Sequence, residues 1–539
     1  MRRFRPVSAV VFAVVVSALV GGLFGPGVLA TDDKIPDHYK AFTAALSAIE
    51  SRYVDKPAPE RLVYGAIRGM LGTLDPHSSF FDPKEYAQMR ERQEGRYYGL
   101  GITIASIDSF ITAQRVFEGS PAYKKGVRGG DVVVKIGGED AKGLSVEQAM
   151  RKLRGPKGTV VQLDVRRRGY AQPIPIEVAR DEVTIPTVRA YFMIDATTGY
   201  IRHTEWGENT DRDIRRALRD LQSKGMKRLL YDIRTNPGGP LDQAIKVTNE
   251  FLPRGRMIVY TRGRIPNSDQ DYRATEDSAF TDIPMVVIAN RDSASASEIF
   301  TGALQDHDRA YIVGETTFGK ALVQSVYRIS GGAGLALTTA HYYTPSGRLI
   351  QRPWDETFDE YLSYRQREQD VNRAHNPSDL KHTDAGRVVY GGGGIEPDKF
   401  VAGPVEGFNP TPFGRMLWAR LEFESFAQSF MAVGDTRIAQ QSTGRKSVLP
   451  SFVVDEPMLA DFRGQLKADH VRIDESAFAK DLDFIKAMIR ARIDEAVFGV
   501  ADSHRHLITA DPQAQVAMTM FVEAQKLLSL TRAGSKAAN

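Results

Sequence analysis

"IPMVVIANRDSASASEIFTGALQDH", residues 283–307, runs from an unbroken apolar stretch through a turn of small residues into a helix that begins near Ala296. A continuous apolar run of strand length, without alternation, fits a strand buried on both faces. The same alternation surrounds it from about Pro186 to Phe400. "GYIRHTEW", the helix "DRDIRRALRDLQSKG", "RLLYDIR", the helix "LDQAIKVTNEFL" and "RMIVYTRG" come before it, and "RAYIVGE" follows. Strands of about five residues alternating with longer helices predict an α/β layer architecture with a largely parallel sheet. Ligand and catalytic groups in such sheets gather at the C-terminal strand ends, where both "YDIRTNPGG" and "VVIANRDSASAS" lie.

The flanking regions read differently. Met1 to Ala30 has a basic start (Arg2, Arg3, Arg5), an apolar run from Val7 to Leu23 and small residues at Val28 and Ala30. That is a secretory signal pattern with cleavage expected after Ala30, the alternative being an uncleaved membrane anchor. A periplasmic or other extracytoplasmic location follows. Residues 31–95 predict helices, with Phe42, Leu46 and Ile49 and then Leu62, Ile67, Met70 and Leu71 at helical spacing. Asp82, Pro83 and Glu85 predict a capped helix start, and His77 falls in the preceding turn as a structural residue. Residues 96–182 change to short β-branched runs between glycines. Residues 356–388 are polar and charged and predict an exposed insertion, and residues 401–539 predict amphipathic helices.

The chain has 539 residues, too many for one small core, with 71 basic and 67 acidic side chains dispersed along it. Nothing in that pattern asks for nucleic acid. Without cysteine it forms no disulfide. It carries neither an HExxH motif nor a GxxxxGK[ST] phosphate loop, so no metal and no cofactor is implied.

Ser293, Ser295 and Ser297 raise the question of a nucleophile, since a serine hydroxyl needs a base within about 3 Å. The ten histidines include His203, His307 and His341, and none of these has an evident acidic partner in sequence. Lys320 and Gln324 in "GETTFGKALVQSVYRI" share one face at their four-residue spacing. A lysine serves as a base once burial lowers its pKa, and "TFGKALV" supplies apolar neighbours with no acid between Glu315 and Gln324.

Residues 96–182 resemble a PDZ domain, with Tyr98, Gly99, Leu100, Gly101 and Ile102 matching the loop that receives a C-terminal carboxylate on backbone N–H groups. The chain from about residue 40 to 400 resembles the carboxyl-terminal processing proteases, the PDZ-bearing Ser-Lys serine endopeptidases also called tail-specific proteases. The likeness rests on "DPHS", the PDZ signature, "YDIRTNPGG", "SASASEIFTGALQD", "GETTFGK" with "VQ", "LTTAHYYTPSGRLIQ" and "GGGGIEPD". It implies a ClpP/crotonase-like α/β protease core at 183–400 with the PDZ inserted and helical regions on either side. It places the nucleophile on Ser295, the base on Lys320 and its supporting amide on Gln324, with oxyanion donors at Ala296 and Gly239. Ala321 stands where the family usually has glycine, and His341 where arginine is common. Substrates would be proteins with exposed C-terminal tails. The 401–539 helices either build a homo-oligomer that awaits an adaptor or activator protein, or cover the edge of the sheet. The competing reading is a PDZ scaffold whose protease core is vestigial, and the complete Ser295, Lys320, Gln324 and NPGG set argues against it.

Overall fold

The computed structural model describes residues 35–168, 170–354, 361, 363–364, 369, 374–403, 410–433 and 449–537. The expected signal segment at 1–30 lies outside the described residues. Among those described, no helix is long and apolar enough to cross a membrane.

The chain divides into two units. The smaller holds the helices Ile35–Arg52 and Pro59–Leu71 and the strand Ser79–Phe81, which pairs antiparallel with residues 334–336. Phe80 is buried and meets the Tyr64 ring at 4.7 Å. The "DPHS" turn is closed by Asp75, whose carboxylate accepts the N–H groups of His77 and Ser78 at 2.7 Å each and the Ser78 hydroxyl at 2.6 Å. A short acidic side chain that turns the backbone this way is an Asx turn, which gives His77 the structural setting expected of it.

The larger unit begins with the helix Pro83–Glu94 at its proline. Its core sheet has the strand order Val188–Met193, Thr198–His203, Arg228–Asp232, Met285–Ala289, Tyr311–Gly314, Lys399–Phe400, antiparallel in the first pair and parallel thereafter. One face packs on the helices Thr210–Ser223, Leu241–Asn249 and Ala296–Asp306 through Ile214, Leu218, Val247, Phe300 and Leu304. On the other, Phe192, Tyr200, Leu230, Val286, Ile288 and Val313 pack on Ile508, Ala514, Ala517, Phe521 and Ala524. A parallel sheet must be covered on both sides, and here the last helices of the chain supply the second cover. The earlier C-terminal helices, Pro412–Ala419 to Leu482–Val497, have a separate core around Phe423, Phe462 and Ile489. The 401–539 region therefore covers a sheet face, not only an edge.

Two expectations are corrected. "RMIVYTRG" leaves the core sheet: Met257–Arg262 pairs antiparallel with Gln270–Arg273 and with residues 341–343. Within 356–388, Tyr361 is only 1% exposed and packs on Phe318, so that segment is not simply an exposed insertion. The polar composition hid a few aromatic side chains that carry its packing.

Between residues 102 and 179 stands a second β domain built on Ile111, Val133, Leu163 and Val178. The strands leading in and out, Arg96–Gly99 and Asp181–Thr184, pair antiparallel as one ribbon. Its contacts with the C-terminal helices are polar. Arg168 pairs with Asp469 and Arg420 with Asp108, and the Gln428 amide donates to Gly129 O at 2.7 Å.

Candidate active site

The wholly buried strand Met285–Ala289 delivers the chain to a tight turn and then to the buried helix Ala296–Asp306. Ser295 stands between them with φ 56° and ψ −114°, a conformation costly for a residue with a Cβ. Its N–H donates to Glu298 Oε2 at 2.8 Å, the carboxylate half of a capping box. The flanking serines are committed elsewhere. Ser293 Oγ donates to Ile233 O and accepts the Asn290 N–H, both at 3.0 Å. Ser297 Oγ donates to Asn236 O and accepts the Trp206 indole N–H, again at 3.0 Å each. Ser293 and Ser297 are buried, whereas Ser295 is partly exposed.

The "NPGG" turn closes against this corner. Asn236 O also accepts the Ala294 N–H at 3.0 Å, and Gly238 N–H donates to Asn236 Oδ1 at 3.1 Å. Gly238 has φ 91°, and a Cβ there would sit 2.6 Å from Ala294 O and 2.8 Å from Ser295 Cβ. A Cβ on Gly239 would sit 2.6 Å from Trp206 Cβ. Glycine is required at both because backbone meets backbone. The turn at Gly238 thereby packs directly on Ser295 and on Ala296 N, 3.0 Å from where a Gly238 Cβ would stand, while Gly239 packs on Trp206.

Lys320 enters from the loop after Tyr311–Gly314 and is partly exposed. Glu298, fully buried, binds that loop as well as the serine: it accepts the N–H groups of Gly319 at 2.7 Å and Lys320 at 2.9 Å, and the Thr317 hydroxyl at 2.5 Å. The Tyr342 hydroxyl lies 2.5 Å from Lys320 O and 3.1 Å from Ser295 O, and Phe318 N–H donates to Ser293 O at 3.0 Å. The serine and lysine loops, far apart in sequence, are thus tied to one carboxylate and one phenol. Burial raises the pKa of Glu298 despite the hydrogen bonds it accepts from Thr317, Lys320, Gly319 and Ser295. No acid stands between Glu315 and Gln324 in sequence; Glu298 meets the Lys320 backbone from the helix that follows the serine turn. Gln324 lies on Leu322–Arg328, its amide donating to Thr338 Oγ1 at 3.3 Å. Glu298 was open to discovery as the third residue of a capping box, but nothing in "LTTAHYYTPSG" marks Tyr342.

Two of the three histidines are engaged elsewhere. His203 is buried, taking the Tyr231 hydroxyl on Nδ1 at 2.7 Å and donating from Nε2 to Glu205 O at 2.8 Å. Burial holds its pKa down at about 3. His307 bridges Asp384 at 2.8 Å and Met257 O at 2.7 Å. His341 is carried on the strand Gly334–Tyr343 with its Nδ1 buried.

In the β domain, Gly99 ends its strand, Leu100 buries its side chain in the core, and Gly101, at φ 83°, passes so close to Ser120 that a Cβ would collide with it. Ile102 opens the strand Ile102–Ile107.

Comparison with known proteins identifies the family. The family model of Peptidase family S41 matches residues 197–355, and that of the PDZ domain residues 88–166. A carboxy-terminal-processing protease of Bartonella bacilliformis is 40% identical over 307 residues, 56% of this chain and 70% of the relative. Carboxy-terminal processing protease CtpA of Bacillus subtilis is 32% identical over 347 residues, 63% of this chain and 73% of that one. The solved photosystem II D1 C-terminal processing protease is similar at 30% identity and TM-score 0.34, over 57% of this chain and 88% of that structure. The chain belongs to peptidase family S41, as a carboxy-terminal processing protease with a PDZ domain.

Proposed function

We propose that the protein is an exported serine endopeptidase that captures unstructured C-terminal tails through its PDZ domain and cleaves them by a Ser-Lys mechanism. Ser295 Oγ attacks the scissile carbonyl carbon while the neutral Lys320 amine takes its proton. The oxyanion is received by the N–H groups of Ala296 and Gly239, Gly238 N–H being occupied by Asn236. The tetrahedral intermediate collapses to an acyl-enzyme as the protonated lysine gives its proton to the departing amine, and water activated by Lys320 then hydrolyses the ester. Gln324 orients the amine without adding charge. The substrate's terminal carboxylate lies on the loop at Gly99, Leu100, Gly101 and Ile102, and its last residues add as a strand beside Ile102–Ile107. The signal segment at 1–30 directs export, and the PDZ spans 96–182 and the protease core 183–400.

The observation that carries this reading is the shared anchoring of the Ser295 and Lys320 loops on Glu298 and Tyr342. The test is cleavage of a loosely folded protein by chain lacking residues 1–30. Ser295→Ala and Lys320→Ala should each lower kcat by about 10⁴-fold or more. Undiminished turnover in either variant refutes the assignment. Ser295→Ala should still bind a peptide ending in a free carboxylate, and amidation of that terminus should abolish binding.

A further inference from the structure

The loop Glu315 to Lys320 continues past the end of the strand Tyr311–Gly314, yet its backbone groups are occupied almost one by one. Glu315 N–H donates to Ala289 O at 3.1 Å, Thr317 N–H to Ile395 O at 3.0 Å and Phe318 N–H to Ser293 O at 3.0 Å. Gly319 and Lys320 give theirs to Glu298. Arg352 holds the carbonyls of Phe318, through Nε at 3.0 Å, and Gly319, through its own N–H at 2.9 Å. Thr316 differs from all of these, because one distant side chain takes both of its polar groups. Thr316 N–H donates to Gln369 Oε1 at 2.9 Å, and Gln369 Nε2 donates back to Thr316 O at 2.7 Å. A primary amide paired in this way offers one residue's N–H and C=O the acceptor and donor that a neighbouring antiparallel strand would.

The amide is itself seated. Gln369 Nε2 lies 2.6 Å from the Tyr364 hydroxyl, which donates to Thr316 O at 3.2 Å. Tyr364 has the Arg352 guanidinium 3.5 Å from its ring centre, and Tyr361 meets the Phe318 ring at 5.3 Å. Phe318 and Tyr361 share an apolar cluster with Ala294, the residue before Ser295.

We infer that Gln369, seated by Tyr364 and Tyr361, is a positioning residue for the Lys320 loop, acting as a side-chain substitute for a missing strand. It touches no reacting atom. It fixes the backbone of Thr316 on both sides of its Cα so that the four residues after it present the amine at one place relative to Ser295. The inference rests on the reading of Lys320 as the base.

The test is Gln369→Glu in the full mature chain, with kcat and KM for a short unstructured peptide measured across pH beside the native enzyme. An ionised carboxylate accepts the Thr316 N–H but sets a second lone pair against Thr316 O. A protonated carboxyl restores one donor and one acceptor in the same places. At about pH 8 the variant should show kcat about tenfold below native with little change in KM, since small displacements of a catalytic group cost that much or more. The ratio of variant to native kcat should climb back toward one as pH falls to about 5, where a carboxyl begins to protonate. Gln369→Ala should be low at every pH without recovery, and it decides the matter alone should Gln369→Glu fail to fold. Native kcat in Gln369→Ala, or a variant-to-native ratio for Gln369→Glu that stays flat with pH, overturns the inference. Activity retained in Lys320→Ala would overturn instead the reading of the base on which it rests.

Discussion

Ser293, Ser295 and Ser297 look alike in sequence and are told apart by what occupies their oxygens. Two of them hold the serine corner to the end of the strand Arg228–Asp232, and only the middle one has both a strained backbone and access to solvent. The choice among them came from the family likeness, since alternation of serine and alanine gives no physical preference. Removal of Ser297 Oγ should strand the buried Trp206 indole N–H and leave Asn236 O with the Ala294 N–H as its donor, costing about 1–3 kcal/mol of stability. Ser297→Ala should therefore melt earlier yet keep most of its kcat, while Ser295→Ala should melt like native and lose kcat by about 10⁴-fold or more. Calorimetry beside a peptide assay separates the two, and loss of kcat in a well-folded Ser297→Ala would mean that the nucleophile has been misassigned. Glu298 was visible in sequence only as a cap. Its second task, on the lysine loop, depends on a contact more than twenty residues away, which spacing cannot show.

At the scale of elements, strands and helices were legible wherever burial imposes a period. The fully apolar Met285–Ala289 and the amphipathic Thr210–Ser223 lie where their patterns put them. Sheet membership was not legible: Met257–Arg262 reads as one more buried strand but pairs with residues 341–343, because pairing partners are chosen by tertiary contact and not by the strand's own residues. The same limit hid the join between "YDIR" and the C-terminal helices. Burial alone would raise the Asp232 carboxyl, but Arg202 and Arg234 hold it well below the usual carboxylate range. Arg234 reaches on to Asp511 and, at 2.8 Å, to Gln513 Oε1, at the start of the helix Pro512–Thr519. Truncating one partner of such a buried pair leaves the others uncompensated. Arg234→Ala should lose about 3–5 kcal/mol, with hydrogen exchange rising first in Pro512–Thr519. Unchanged protection there would mean that the ion pair is not what fastens the helix.

Across the larger unit, the apolar clusters of the PDZ domain and of the 413–493 helices are separate, and polar groups join them. Exposed ion pairs contribute little each and are screened by salt. Replacing Asp108 and Asp469 together by arginine should release the PDZ from the helices at a cost of about 1–2 kcal/mol or less. Amide exchange at Gly129 to Asp131 and along Glu422–Val433 should rise, with the core sheet unaffected. Equal protection in the variant would show that these contacts do not hold the domain. The cover of the core sheet by Ile508 to Ala524 has a different consequence, one of timing. A ribosome completes the serine, the lysine and all six strands of that sheet about a hundred residues before it makes the helices that shield the sheet's second face. Until then the nascent core carries an open apolar face, so a chain halted anywhere between residues 400 and 508 holds the serine and the lysine on a sheet still half bare.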